Sequence, residues 1–301
     1  MAVFRTDDGI RIAYEIYEAH EAHDLHEAHG VREAHGVHEA HGVREIPGGE
    51  SRSRLPLILL HHGFIASGRT NWEMPGIVDA LTRTGRRVAT IDARGHGASD
   101  KPHDPALYGE ARMARDVTAL IDLLDEPAYD LVGYSMGAIV SLLTAVGDRR
   151  VRRLVVGGVG AGVVECGGVD TRVIGGQTLQ HALRTDDPGS VTDPTAAAFR
   201  AFVDAVSGDR LALAAQAAAA HAEPIALEKI SAPALVVAGR EDPLAVRPEV
   251  LSTALPRATL RTVDGDHLGA LRDPEFTHGI VEFLNTSVSG DEFGVVHRST
   301  C

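Results

Sequence analysis

The chain has 301 residues, 44% of them hydrophobic, so it can form one large α/β domain or two small ones with a sizeable core. Its formal net charge of −13 argues against a nucleic-acid or anionic-membrane partner, because clustered Lys and Arg bind phosphate groups. Two distant cysteines, Cys166 and Cys301, form no disulfide framework or zinc spacing. The sequence shows no apolar core of a signal peptide and no apolar run long enough to span a membrane. Together with the cysteine content, this predicts a cytoplasmic protein.

The N-terminal residues predict a β-hairpin. Residues 3–5 and 10–17 form its two arms, and the second arm alternates apolar and polar residues. Asp8 and Gly9 between them supply the turn.

Residues 18–50 are a low-complexity array in which Glu-Ala-His recurs. Its period is too short for a solenoid, and its apolar content is too low to order a fold, so we predict a surface insertion. The alternative is weak, non-catalytic binding of Zn or Ni, which histidine-rich tracts support. Seven of the chain's 16 histidines lie in the array: His20, His23, His26, His29, His35, His38 and His41.

The remainder of the chain alternates short apolar runs with helical periodicity, which predicts a mostly parallel sheet flanked by helices on both faces. The region 160–223 lacks a strand pattern and is predicted to form a helical lid on a single domain spanning 1–285, with a flexible tail over 286–301. The predicted strands cover 55–60, 87–91, 129–132, 151–159, 234–238 and 259–263, and the predicted helices include 72–84, 110–125 and 274–284.

The pentapeptide from Gly133 to Gly137 carries the strongest chemical signal. It joins a predicted strand to a predicted helix, with Ser135 at the apex. A turn this tight forces its apical residue toward positive φ, and glycines two before and two after the serine let strand and helix approach. Such a turn exposes a serine hydroxyl at a helix N-terminus, where unpaired N–H groups favour developing negative charge. The pattern predicts acyl transfer, with the N–H of Met136 as an oxyanion donor.

Ser135, Asp242 and His267 each follow a predicted strand, which places them at one edge of the sheet. Their order along the chain resembles that of the α/β-hydrolase fold, and the likeness covers nearly the whole chain outside 18–50 and the tail. The stretches that carry the resemblance are 62–64, 92–100, 133–137, 239–242 and 265–267.

The chemistry of the three side chains assigns their roles. His267 would take the proton of Ser135 and return it to the leaving group, while Asp242 would fix the tautomer of His267. The resemblance further implies that the backbone N–H of Phe64 is the second oxyanion donor.

Other residues compete for parts of this site. Asp264 and Asp266 are alternative orienting carboxylates, although near neighbours in sequence rarely fill that role. His61, His62 and His96 are alternative bases and are expected to shape loops instead. Asp92 and Arg94 are expected to hold a loop, and Cys166 to be an unreactive thiol. Trp72 and Tyr134 are predicted to contact substrate, with core packing as the alternative for Trp72.

The sequence therefore predicts a serine hydrolase that cleaves a small or medium ester or thioester through an acyl-enzyme, without a metal or organic cofactor. The expected partner is a small acyl substrate, and the oligomeric state stays open. The same triad also serves C–C bond hydrolysis, lactone opening, and perhydrolysis or haloperoxidation. From different classes, a ligand-sensing receptor and a metal-sequestering protein remain alternatives.

Overall fold

A computed structural model of the chain describes residues 1–20 and 55–286. The predicted histidine-rich insertion over 18–50 lies outside the described residues from position 21 onward. The predicted tail over 286–301, including Cys301, lies outside them from position 287 onward.

In the described ranges, eight strands form one sheet in the order β1-β2-β4-β3-β5-β6-β7-β8. The first two strands pair as an antiparallel hairpin, β2 runs antiparallel to β4, and every other pairing is parallel. The α/β architecture predicted from the sequence is confirmed. The strands are β1 (Ala2–Arg5), β2 (Arg11–Tyr17), β3 (Leu57–His61), β4 (Val88–Ile91), β5 (Tyr129–Tyr134), β6 (Val151–Gly157), β7 (Ala234–Gly239) and β8 (Ala258–Val263).

Helices cover both faces of the sheet. Alternation along β3 shows why: Leu57 and Leu59 enter one core cluster, whereas Ile58 and Leu60 enter the other. The first cluster packs under α2 and α3, and the second packs under α1 and α9. The helices are α1 (Ile77–Thr82), α2 (Glu110–Leu123), α3 (Met136–Gly147), α4 (Gly162–Cys166), α5 (Gly176–Arg184), α6 (Pro194–Ala205), α7 (Arg210–Ala218), α8 (Pro248–Ala254) and α9 (Pro274–Asn285).

The helix predicted over 72–84 is two separate helical pieces. A single wide turn covers Arg69–Glu73, and α1 begins only at Ile77. Pro75 and Gly76 separate the two pieces, and Gly76 has a φ of 84°. A residue in the left-handed region cannot continue a right-handed helix, so the prediction of one continuous helix is wrong.

Between β6 and β7 the structure is helical and contains no strand among these described residues. The helices α5, α6 and α7 pack on one another through a small core that includes Leu183, Val203 and Leu213. Ile65, from the loop after β3, joins the same core and connects these helices to the sheet edge. We call residues 160–223 the lid. Nowhere in residues 1–20 and 55–286 is a helix long and apolar enough to cross a membrane.

Candidate active site

Ser135 occupies a strained turn between β5 and α3. Its φ is 55° and its ψ is −118°, a region that residues with a Cβ atom rarely adopt. The Ser135 N–H donates to the carbonyl of Gly157 on β6 at 2.8 Å, which anchors the turn to the neighbouring strand. The sharp turn predicted at this position is therefore present, and the serine is 5% exposed and lines two cavities.

The two glycines of the turn are required by close backbone contacts. A Cβ at Gly133 would lie 2.1 Å from the carbonyl oxygen of Gly137, and a Cβ at Gly137 would lie 2.2 Å from that of His61. Real Cβ atoms essentially never approach so closely. Strand, turn and helix can pack this tightly only without side chains at both positions.

Asp242 and His267 meet beyond the ends of β7 and β8. The Nδ1 atom of His267 lies 2.8 Å from Oδ2 of Asp242, whose other oxygen accepts from the N–H of Leu244 at 2.9 Å. The Asp242 side chain is fully buried, whereas 19% of the His267 side chain is exposed. Because a carboxylate only accepts, Nδ1 carries the proton and Nε2 keeps its lone pair, as a general base requires.

The competing carboxylates are engaged elsewhere. Asp264 pairs with Arg240 at the surface, and Asp266 accepts from the N–H groups of Leu268 and Gly269. Of the three candidates, Asp242 is the carboxylate within hydrogen-bonding distance of the His267 ring.

Ser135 Oγ and His267 line the same two cavities. No hydrogen bond joins them in the part of the chain that the structure describes. Hydrogen bonds between a nucleophile and its base are commonly long without substrate and shorten in the substrate complex.

Two backbone N–H groups beside Ser135 are available as oxyanion donors. Met136 is the first residue of α3, so its N–H has no acceptor within the helix. Across residues 1–20 and 55–286, neither the Met136 N–H nor the Phe64 N–H donates to a protein acceptor. Ile65, directly after Phe64, has a φ of 71°, which is a strained value for a β-branched residue.

His62 orients the peptide that carries the Phe64 N–H. Its Nε2 accepts from the N–H of Ala93 at 2.9 Å, so its Nδ1 carries the proton and donates to the carbonyl of Gly63 at 2.7 Å. Because a trans peptide directs its carbonyl and N–H to opposite sides, this bond points the Phe64 N–H away from His62.

The three alternative bases are buried and neutral. Burial lowers the pKa of His61 to about 3 and lowers the pKa of His62 and His96 below their ordinary value. The rings of His62 and His96 pack against each other with centroids 5.1 Å apart and planes tilted by 55°, and Nδ1 of His96 donates to the carbonyl of Arg94 at 2.9 Å. They hold loops, as expected. Asp92 likewise accepts from the N–H groups of Gly68 and Ala98.

Ser135 contributes to the walls of two cavities. The large cavity, of about 380 Å³, lies under the lid and has mostly apolar walls. The small cavity, of about 230 Å³, is bounded by the loop after β3 and the segment after His267. Both volumes suit parts of a small organic substrate. Lid residues on the wall of the large cavity include Leu179, Phe199, Phe202 and Ala217.

Of the two residues predicted to contact substrate, Tyr134 lies at the site and Trp72 does not. Trp72 is fully buried in the core cluster below the sheet and lines neither cavity, so its expected substrate contact is corrected to core packing. Tyr134 lines the small cavity, and its hydroxyl donates to the carbonyl of His267 at 2.6 Å. Cys166, at the end of α4, is half-buried and unpaired.

Sequence reasoning missed Glu110, which lies on the wall of the large cavity at 4% exposure. The signal was available, because Glu110 precedes Met113, Val117 and Leu120 at helical spacing and therefore occupies the buried face of α2. A carboxyl group on the apolar face of a helix marks a candidate functional residue.

The described residues contain no group of three or more His, Cys, Asp or Glu side chains that could hold a metal ion. This absence does not extend to the histidine array from position 21 onward, because positions 21–54 are not described.

Comparison with known proteins adds to this geometry. A family model for the alpha/beta hydrolase fold matches residues 56–160. The sn-1-specific diacylglycerol lipase ABHD11 of Mus musculus is 42% identical over 93 residues, covering 31% of this chain and 28% of that protein. The chain thus matches less than a third of that lipase. The 3-oxoadipate enol-lactonase 2 of Acinetobacter baylyi is 28% identical over 211 residues, covering 64% of this chain and 76% of the lactonase.

Solved structures are similar over nearly the whole chain. A hydrolase from Pseudomonas aeruginosa is 25% identical, with a TM-score of 0.68 and coverage of 95% of this chain and 98% of that one. The enol-lactonase of Burkholderia xenovorans has a TM-score of 0.62 at 22% identity, covering 95% and 100% of the two chains. At that identity the likeness supports the fold alone.

Proposed function

Because this chain is an α/β-hydrolase-fold protein, we propose that it is a serine hydrolase that cleaves a small or medium ester or thioester through an acyl-enzyme. The observation that carries the proposal is the Asp242–His267 pair at 2.8 Å, because His267 lines the same cavities as Ser135 in its strained turn. Matches to a lipase and a lactonase agree with ester chemistry.

The mechanism follows from the protonation states of these groups. The Nε2 atom of His267 removes the proton from Ser135 Oγ as the oxygen attacks the acyl carbon. Asp242 stabilises the imidazolium that forms, without itself taking the proton. His267 then protonates the leaving alcohol or thiol, and the acyl-enzyme remains. In the second half, His267 takes a proton from a water molecule as the water oxygen attacks the acyl carbon, and His267 then returns that proton to Ser135 Oγ as the bond to the serine breaks and the acid leaves.

The negative charge of the tetrahedral intermediate needs donors already in place. The N–H groups of Met136 and Phe64 supply them, because neither is committed to an acceptor in the described chain. Losing one such donor typically costs about 3–4 kcal/mol of transition-state stabilisation.

Lactone hydrolysis is the second candidate. The match to the enol-lactonase of Acinetobacter baylyi extends over 211 residues and covers 76% of the lactonase. A lactone is a cyclic ester, so the same attack on its carbonyl opens the ring. Comparing kcat/KM for a lactone and for the open ester of the same acid distinguishes the two substrates.

Replacing Ser135 with alanine tests the proposal. We expect Ser135→Ala to abolish turnover of p-nitrophenyl acetate while leaving the thermal unfolding transition in place. Turnover close to that of the wild type in this variant would overturn the acyl-enzyme. The cytoplasmic location stays a prediction.

A further inference from the structure

Glu110 is a buried carboxyl group on the wall of the large cavity. It is 4% exposed, and its two oxygens accept from the N–H of His221 at 2.7 Å and from Nε2 of Gln216 at 3.2 Å. Both donors belong to the lid. Among the described residues, no Lys, Arg or His side chain lies within ion-pair distance of Glu110.

The other charged groups around the large cavity increase its negative character. Asp170 and Asp266 also line its wall, whereas no Lys or Arg does so among the described residues. Asp170 already has a counter-ion in Arg172 at 2.6 Å, and Asp266 is exposed to solvent. Glu110 is therefore the carboxyl group on this wall that is both buried and without a cation.

The hydrogen bonds that Glu110 receives from other residues leave its carboxylate only partly satisfied. A carboxylate offers about four lone-pair sites, of which the bonds from His221 and Gln216 use two. Burial raises the pKa of Glu110 to about 7, because burial penalises the charged form more than these two donors and the N–H of Glu110 itself favour it. A cation brought into the cavity would supply the missing charge.

We propose that the large cavity selects substrates whose apolar chain carries a positively charged ammonium group, and that Glu110 is the residue that recognises it. This inference rests on the proposed hydrolase function. The apolar wall of the cavity contacts the alkyl chain of the substrate, and the Glu110 carboxylate pairs with the ammonium group.

The test uses a pair of p-nitrophenyl esters of the same shape. One has an ω-trimethylammonio alkanoyl chain, and the other carries a tert-butyl group in place of the trimethylammonium, so the two differ in charge alone. The series includes several chain lengths. Turnover of the neutral ester tests the proposed function, and the ratio of the two kcat/KM values tests this inference separately.

For the wild type at about pH 8, we expect the ratio to favour the ammonium ester by about tenfold or more at the best chain length. The ratio should fall as the pH is lowered through about 7, because Glu110 then takes up a proton. Any effect of pH on the acyl-transfer step that the two esters share cancels in the ratio. The trimethylammonium charge does not change with pH.

The titratable groups that share the wall with Glu110 are Asp170, Asp266 and His267, and His221 approaches it from the lid. The helix α3, which packs along α2, carries no titratable side chain. In α7 the one charged residue, Arg210, is bound at the far end of the helix to Asp186.

Glu110→Gln should bring the ratio close to one at every pH, and the matched variant Glu249→Gln should keep the wild-type ratio. Glu249 is likewise in the first turn of a helix but is exposed and outside the cavity. A wild-type ratio near one across the pH range, or a preference that survives in Glu110→Gln, would overturn the proposal. The wild-type pH series remains decisive if Glu110→Gln does not fold.

Discussion

Asp242 hydrogen-bonds to His267 although 25 positions separate them in the sequence, whereas Asp264 and Asp266, which lie beside His267 in the sequence, bond other groups. The parallel order of β7 and β8 explains this choice, because the loops after adjacent parallel strands lie side by side. Sheet topology rather than sequence proximity thus determines which carboxylate meets the imidazole.

Asp242→Asn tests this assignment at the residue scale. The amide should stabilise the wrong tautomer of His267 and fail to stabilise its imidazolium, so we expect kcat for ester hydrolysis to fall by about 10⁴. Asp264→Asn is the matched control and should retain most of the activity, because Asp264 pairs with Arg240 at the surface. An equal loss in the two variants would contradict the assigned role of Asp242.

The residues proposed for the site differ in how far the sequence could place them. Ser135, Asp242 and His267 could be assigned to one sheet edge because each lies within a few residues of the end of a predicted strand. Trp72 could not, since a large aromatic residue suits a pocket and a core equally well, and only the packing of the sheet face decides. The charge state of Glu110 depends on burial by the lid, which no local pattern encodes.

The turn between β5 and α3 depends on how closely one helix end approaches the sheet. Gly137→Ala would place a Cβ 2.2 Å from the carbonyl oxygen of His61, and a backbone atom cannot move aside cheaply. We expect this variant to lose at least about 2 kcal/mol of unfolding free energy and most of its activity.

The control for that variant lies at the other end of the same helix. A Cβ at Gly147 meets nothing within 4 Å, so Gly147→Ala should keep full activity and gain up to about 1 kcal/mol of stability from helix propensity. Urea unfolding with a parallel esterase assay measures both variants. Equal stability of the two alanine variants would show that the close approach is not required.

The lid contributes part of the wall of the large cavity, which under the proposed function would limit the length of the acyl chain. Ala217 on α7 lines the large cavity, whereas its neighbour Ala218 is exposed and lines neither cavity. Ala217→Phe should fill part of the cavity and move the optimum of kcat/KM toward shorter acyl chains. Ala218→Phe should leave the optimum where it is. If both variants keep the wild-type chain-length profile, the large cavity does not hold the acyl chain.

Elements with one strong pattern were predicted well. The strands near 129–134 and 234–239 agree with observation because buried parallel strands are continuous apolar runs. The helix over 72–84 was wrong because its helical periodicity continues across Pro75 and Gly76, where the backbone conformation ends the helix. The arrangement of the lid helices could not be predicted, since they pack through a few residues distant in sequence.

At the scale of the whole molecule, the sheet edge that carries the site also buries neutral histidines. Burial lowers the pKa of His61 to about 3 and holds the pKa of His62 and His96 below the value near 6.5 that they have when unfolded. Between about pH 6.5 and the lowered values, the unfolded chain binds more protons than the folded one, so acid destabilises the fold. Each histidine contributes about 1.4 kcal/mol per pH unit within that window.

Glu110 acts in the opposite direction. Its pKa is raised to about 7, so the folded chain binds the extra proton between that value and about 4.5, and acid stabilises the fold through this group. The destabilising effect of acid through three histidines exceeds its stabilising effect through one glutamate. We therefore expect the unfolding free energy to fall from about pH 7 to about pH 5.5. Urea titrations across this range measure the slope, and a flat or rising stability toward acid would contradict the neutral, buried histidines.

The proposed function requires that Ser135 is a nucleophile activated by His267. The most direct measurement is intact-protein mass spectrometry after exposure to a fluorophosphonate probe, with peptide mapping of the adduct. We predict one adduct per chain on Ser135, none in Ser135→Ala, and strongly slowed labelling in His267→Ala. Labelling at another residue, or an unreactive Ser135 in a protein that still hydrolyses esters, would contradict the account.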